Sequence, residues 1–224
     1  MERVLSPKKL AQAVGVSESS LKRWADEGLI HVTRTAGGHR RIAIQEAMRF
    51  IRDTQLPLLH PQLLGLDVLA ATSRDGEQRR PATDTLYAAL VDGDVRRARA
   101  QVVKSYLAGE SVSELCDRQI LPALRSVAQA SPNDLDAVVV DRQRRDICRQ
   151  VLNFLRCSMR LTDEHAPKAL GGCLGRCNAL VYPLMAATTL AEMGFADCNL
   201  GTQLSPEIIK HALQRYQPAV LWLV

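Results

Sequence analysis

Two glycines, Gly15 and Gly28, punctuate the first thirty residues so tightly that few local structures fit between them. Ser6-Pro7 opens a helix, since serine caps its free N–H groups and proline suits its first position. Leu10, Ala13 and Val14 then form an apolar stripe. Gly15 turns the chain, and Val16 is expected to be buried beyond it. Ser17 caps a second helix over 17–27 that carries Leu21 and Trp24 inward, and Gly28 ends it. Leu29-Ile30 leads into a strand. Helix, glycine turn and helix is the spacing of a helix-turn-helix.

The next twelve residues complete a pattern. His31-Val32-Thr33-Arg34 and His39-Arg40-Arg41-Ile42 flank Thr35-Ala36-Gly37-Gly38, so a short hairpin, a wing, is predicted. Its tip is expected to expose Arg34, His39, Arg40 and Arg41, which suits phosphate contact. His39 has a second reading, a hydrogen bond inside the turn. Residues 1–54 hold ten Lys and Arg against six acids, within a chain of net charge +5. Basic residues on short helices usually form a solvated face, so the hairpin and the helix pair carry the argument together. Trp24 and Ile42 are read as core.

Residues 5–54 resemble the N-terminal domain of the MerR family of regulators. The string LSPKKLAQAVGVSESSLKRWADEGLI, followed by TRTAGGHRRI, holds in order a polar helix, Trp24 four residues before Gly28-Leu29-Ile30, and a Gly38-His39-Arg40 wing. The resemblance implies double-stranded DNA as partner, with the second helix in the major groove. It would put Ser19, Ser20, Lys22 and Arg23 at the groove and Arg34, His39, Arg40 and Arg41 on the backbone. Ser17 and Thr35, beside them in the helix cap and the wing loop, complete the candidate set.

The rest of the chain divides by composition. A first domain is expected over 1–71, a polar linker over 72–81, a helical domain over 82–163, and a partial sheet domain over 164–224. Asp92-Gly93-Asp94, Gly109 with Ser111 and Glu114, and residues 131–134 separate four helices, which predicts a four-helix bundle. These breaks argue against a continuous coiled-coil arm. Residues 168–174, 195–200 and 218–224 read as strands, with an apolar helix over 178–193 and another beginning at Ser205-Pro206. A β-α-β-α-β run marks a parallel sheet. The fold class is therefore mainly α with α/β: winged helix-turn-helix, four-helix bundle, then a partial doubly wound sheet. Three strands where five are usual suggest a mini-domain or a fragment.

Residues 85–224 resemble the cobalamin-binding module of photoreceptor repressors, on the stretches VDGDVRRARAQVVKSYLAGESVSELCDRQILPALRSV and LAEMGFADCNLGTQLSPEIIKHALQRYQPAVLWLV. That family carries Asp/Glu-x-His-x-x-Gly, with the histidine on cobalt. This chain has Cys177-Asn178-Ala179-Leu180-Val181-Tyr182 there, and Ala179 has no lone pair to give. The bundle's Trp and Glu-His are also missing; the region reads Ala130-Ser131-Pro132 and Asp141-Arg142. Glu164-His165 reads as a linker pair. The expectation is a module without cofactor that serves a homo-oligomer or a regulatory protein partner. The alternative is a light- or cofactor-sensing regulator that still binds cobalamin or another small ligand.

An enzyme reading has no support in a Gly-x-Gly-x-x-Gly or a nucleophile–base cluster. Cys173 and Cys177 could make half a metal site, but six scattered cysteines in a chain of this size read better as small reduced side chains. There is no run of about eighteen apolar residues, so no membrane span is expected. The start Met-Glu-Arg-Val lacks a secretory signal's apolar core, and the expected location is cytoplasmic.

Overall fold

The computed structural model describes residues 4–64, 82–125, 134–159, 165–175 and 179–224. Ser6 accepts a hydrogen bond from the Lys9 amide at 3.3 Å and opens α1 (Pro7–Val14), which buries Leu10, Ala11, Ala13 and Val14. Gly15 follows at φ 72°, a left-handed turn that only glycine makes without strain. A Cβ there would also lie 2.5 Å from Leu59 Cδ1. Leu59 is held over the turn because its amide and that of His60 both donate to the Ala13 carbonyl, at 2.8 and 3.0 Å.

Ser17 caps α2 (Glu18–Asp26), where Leu21 is the one buried residue. Val16 is half-buried rather than enclosed. Strands β1 (Val4–Leu5), β2 (Thr33–Arg34) and β3 (Arg40–Ala43) make an antiparallel sheet of order β1-β3-β2. Two features differ from the sequence reading. Val4–Leu5, too short to announce itself, joins the sheet. The strand expected over His31–Arg34 shrinks to Thr33–Arg34, because the His31 amide is taken by the Glu46 carboxylate rather than by a neighbouring strand. Next comes α3 (Ile44–Thr54), which buries Ala47, Met48, Phe50 and Ile51.

The helical region begins with α4 (Ala82–Val91) and α5 (Val95–Leu107), separated by Gly93 at φ 70° and by Asp94, whose carboxylate accepts from the Arg96 and Arg97 amides. Ser111 and Glu114 form the reciprocal capping box that opens α6 (Val112–Leu115). The single third helix expected here is interrupted. A wider π turn spans Cys116–Ile120 before α7 (Leu121–Arg125). Pro122 is the physical reason: it has no N–H, and its ring would collide with the carbonyl four residues back, that of Arg118. The backbone widens, so that the Leu121 amide bonds to Cys116 O. The Arg118 carbonyl takes a substitute donor, the Thr83 hydroxyl at 2.7 Å.

The longest helix, α8 (Leu135–Ser158), starts at an Asp134 cap and packs on α4 and α5 through Ile147, Cys148, Val151, Leu152 and Leu155. Beyond it, β4 (Lys168–Gly172), β5 (Ala196–Asn199) and β6 (Val220–Leu223) form a parallel sheet of order β5-β4-β6, linked by α9 (Val181–Glu192) and α10 (Pro206–Tyr216). With right-handed crossovers, the β4-to-β5 connection and the β5-to-β6 connection run in opposite directions across the sheet, so their helices lie on opposite faces. Thus α9 is sandwiched against α8, while α10 rests on β4 with its outer side open.

Among the described residues one continuous hydrophobic cluster extends from Leu5 through the helices to Val181 and Met185. The linker expected over 72–81, the break at 131–133, Glu164, and Cys177-Asn178 all lie outside the described residues.

Candidate nucleic-acid interface

The α2 candidates fall into two chemical groups. Ser17 Oγ accepts from the Ser20 amide at 3.0 Å and lies 2.8 Å from the hydroxyls of both Ser19 and Ser20. The cap therefore gathers three hydroxyls at the N-terminus of α2. Lys22 pairs with Glu18 at 3.0 Å, and Arg23 reaches Glu27 at 3.8 Å, all four side chains at least 44% exposed. Such i,i+4 pairs are worth only about 0.3–0.5 kcal/mol in water, so neither cation is committed to its carboxylate.

The wing hairpin closes with Arg34 opposite Arg40 and Thr33 opposite Arg41. Inside the loop the Thr35 amide donates to His39 O at 3.0 Å, and the His39 amide donates to the Thr35 hydroxyl at 3.2 Å. Thr35 is thus a loop fastener. His39 does hydrogen-bond within the turn, but through its backbone, and its side chain stays exposed. Arg34 is exposed and Arg41 half-buried, and among the described residues neither has a carboxylate partner.

Arg40 departs from the expectation of an exposed tip cation. It belongs to β3, its side chain is 22% exposed, and its guanidinium points back at α2. There Nη2 donates to Asp26 Oδ1 at 2.6 Å and Nη1 to the Lys22 carbonyl at 3.3 Å. The cause is the strand alternation: the hairpin register turns Arg40 toward the helix while Ile42, two residues on, fills the core at 0% exposure. Arg40 fastens the wing to the last turn of α2.

Sequence reasoning missed the residues that hold this geometry from behind. Glu46, 8% exposed, accepts from the His31 amide at 2.7 Å and from Arg49. Arg49 also donates to Leu29 O at 3.0 Å and to Asp53 at 2.6 Å. The connection between α2 and the wing is therefore strapped to α3 by two charged side chains. Its hydrogen bond to Glu46 raises the Arg49 guanidinium above its ordinary pKa, so this cation never titrates. The signal was present as Glu46-x-x-Arg49-x-x-x-Asp53, three charges on one helical face. Trp24 stacks tilted on Phe50, with ring centroids 5.5 Å apart, and so fixes α2 to α3.

A short polar helix and a cationic hairpin are thus fastened to each other and to a common support. The MerR family regulatory protein pattern matches residues 6–42. The MerR match begins at the Ser6 cap and ends at Ile42, so it covers α1, α2 and the wing, including Arg40 and the rest of the candidate set. A comparison with curated proteins finds no match. Among the described residues no cluster of His, Cys, Asp and Glu could hold a metal ion, and no helix is long and apolar enough to cross a membrane.

Proposed function

We propose that this chain is a DNA-binding transcriptional regulator of the MerR type, in which α2 enters the major groove and the wing holds the adjacent backbone. The observation that carries this reading is the Arg40–Asp26 fastening, which joins helix and hairpin into one preorganised surface within the MerR-matched segment. Ser19, Ser20, Lys22 and Arg23 face the groove in this reading. Arg34, His39 and Arg41 meet phosphates, Ser17 and Thr35 support their neighbours, and Arg40 acts as the fastener.

In the same reading residues 82–224 mediate oligomerisation or partner binding and carry no cobalamin. The donor chemistry supports this. By the resemblance, Ala179 takes the place of the cobalt-binding histidine and has no lone pair to give, and Tyr182, whose ring centroid lies 5.8 Å from Arg145 Cζ, takes the place of the signature's glycine. The chain has no enzymatic activity in this proposal. The function is tested by incubating the intact protein with genomic fragments at low ionic strength and sequencing what is retained. Recovery of a recurring site supports the reading, and retention of no fragment overturns it. Incubation with adenosylcobalamin in darkness, then gel filtration, should leave no corrin absorbance on the protein.

A further inference from the structure

Among the described residues, the outer side of α10 carries an exposed apolar surface beside charged side chains. Leu200, at the end of β5, and Ile208 and Ala212 of α10 floor a groove of about 470 Å³, rimmed by Glu207, His211 and Arg215. Ile208 is 48% exposed, and Ala212 is the one fully buried residue of the helix. The groove follows from the topology. In the order β5-β4-β6, α10 packs on β4, and among the described residues the edge strand β5 is packed chiefly by α9.

The charges select an occupant. Glu207 lies in the first turn of α10 and Arg215 in the last, both exposed and both on the groove side. A second α10 laid antiparallel along the groove brings Glu207 of each copy to Arg215 of the other, at both ends of the contact. Ile208 and His211 of the two copies meet in the middle. A parallel arrangement would oppose like charges. Antiparallel self-pairing about a two-fold axis is the isologous geometry in which one surface complements itself. We propose that this face of α10 is the self-association surface of the protein and that its partner is a second copy of the same chain.

The contact is small. A helix of 11 residues is about 16 Å long, and one face of it about 10 Å wide covers roughly 160 Å², well short of the roughly 800 Å² per partner that a stable dimer buries. Self-association is therefore weak in free solution. It becomes effective when two copies are held close together, which raises their local concentration. The inference rests on the oligomeric role proposed above and not on DNA binding, and its test contains no nucleic acid.

The experiment is sedimentation velocity on the intact chain over about 10–300 µM, a range that brackets a weak contact. The wild-type protein should shift toward dimer with concentration. Glu207→Arg and Arg215→Glu should each stay monomeric, because the first makes both ends cationic and the second makes both anionic. Mixed in equal amounts, the two variants should associate at least as well as the wild type, since every end of the mixed pair then opposes unlike charges. That recovery in trans excludes misfolding as the cause of the single losses. Wild-type protein that remains monomeric throughout, single variants that dimerise as the wild type does, or a mixture that stays monomeric would each overturn the proposal.

Discussion

At the residue scale, chemical type and role separate most clearly at the three wing arginines. Arg34 and Arg41 are uncommitted cations, whereas Arg40 is neutralised by Asp26 at 2.6 Å. Counterion release depends on phosphates neutralised. Arg34→Ala and Arg41→Ala should therefore each lower the slope of log affinity against log salt by about one unit. Arg40→Ala should weaken binding with the slope nearly unchanged, because it loosens the wing without removing a phosphate contact. The exchanged pair Asp26→Arg/Arg40→Asp should recover part of that loss. Fluorescence anisotropy across a salt series measures all four variants, and a slope change of a full unit for Arg40→Ala would return it to the phosphate-contacting set.

The cysteines separate by the same logic of environment. Burial pushes the Cys116 and Cys148 thiols up to about 12, while Cys157 is exposed. The thiolate is the reactive form. Under native conditions near pH 8, alkylation should label Cys157 and leave Cys116 and Cys148 unmodified until denaturant is added, as peptide mass mapping would read.

At the scale of elements, the third helix of the body shows how one residue shapes a segment and recruits a distant one. Pro122 leaves the Arg118 carbonyl without its helical donor, and Thr83 supplies the replacement from α4. Thr83→Val should cost about 1 kcal/mol, the net worth of such a bond. In a Pro122→Ala background the restored amide can serve the carbonyl, so the same change should cost less. A double-mutant cycle by urea unfolding reads the coupling, and strict additivity would contradict the substitute-donor account.

The capping box at Ser111 carries a pH signature as well. Hydrogen bonds from the Ser111 backbone and then its side chain hold the Glu114 carboxyl below its usual range. A carboxylate lowered on folding stabilises the protein above its unfolded pKa, and that contribution is lost as pH falls through the lowered value. Melting temperature should therefore decline as pH drops below about 4.5, and Ser111→Ala should be less stable at neutral pH with a shallower acid decline.

At the scale of the whole molecule, the N-terminal segment is docked on the body rather than tethered beside it. Helix α3 packs on α5 and α8, and Gln45 donates to Cys157 O at 2.9 Å. Arg52 is the central connection. Its guanidinium stacks 4.0 Å from the Tyr106 ring centroid and pairs with Glu192 at 3.0 Å. Glu192 in turn accepts from the Val112 amide at 2.7 Å. One arginine thus joins α3, α5, α6 and α9. Both partners are about 20% exposed, so breaking the pair should cost more than a surface bridge, about 1–3 kcal/mol. Glu192→Ala should raise amide exchange in residues 44–54 and 181–192 together. Exchange rising only in α9 would show that the two regions are not coupled through Arg52.

Features set by near neighbours along the chain were legible before the fold was known. Ser6, Ser17, Asp94 and Ser111 name helix starts, because a cap needs only a side-chain oxygen and the next three residues. Gly15 and Gly93 name turns, because left-handed backbone excludes a Cβ in any context. The cationic hairpin and the polar helix were legible for the same reason, and so were the three strands after residue 167. Packing settled where a side chain goes once its element is placed. Arg40 reads as one more exposed cation until the hairpin register turns it onto Asp26. Glu46 and Arg52 read as ordinary helix charges until neighbouring segments bring His31 and Glu192 to them. Strand β1 and the π turn belong with these, since two residues become a strand only beside β3, and a widened turn is tolerated only where Thr83 can reach it. Local rules act through neighbours along the chain. Partners many residues away are set by packing, which no short window of sequence contains.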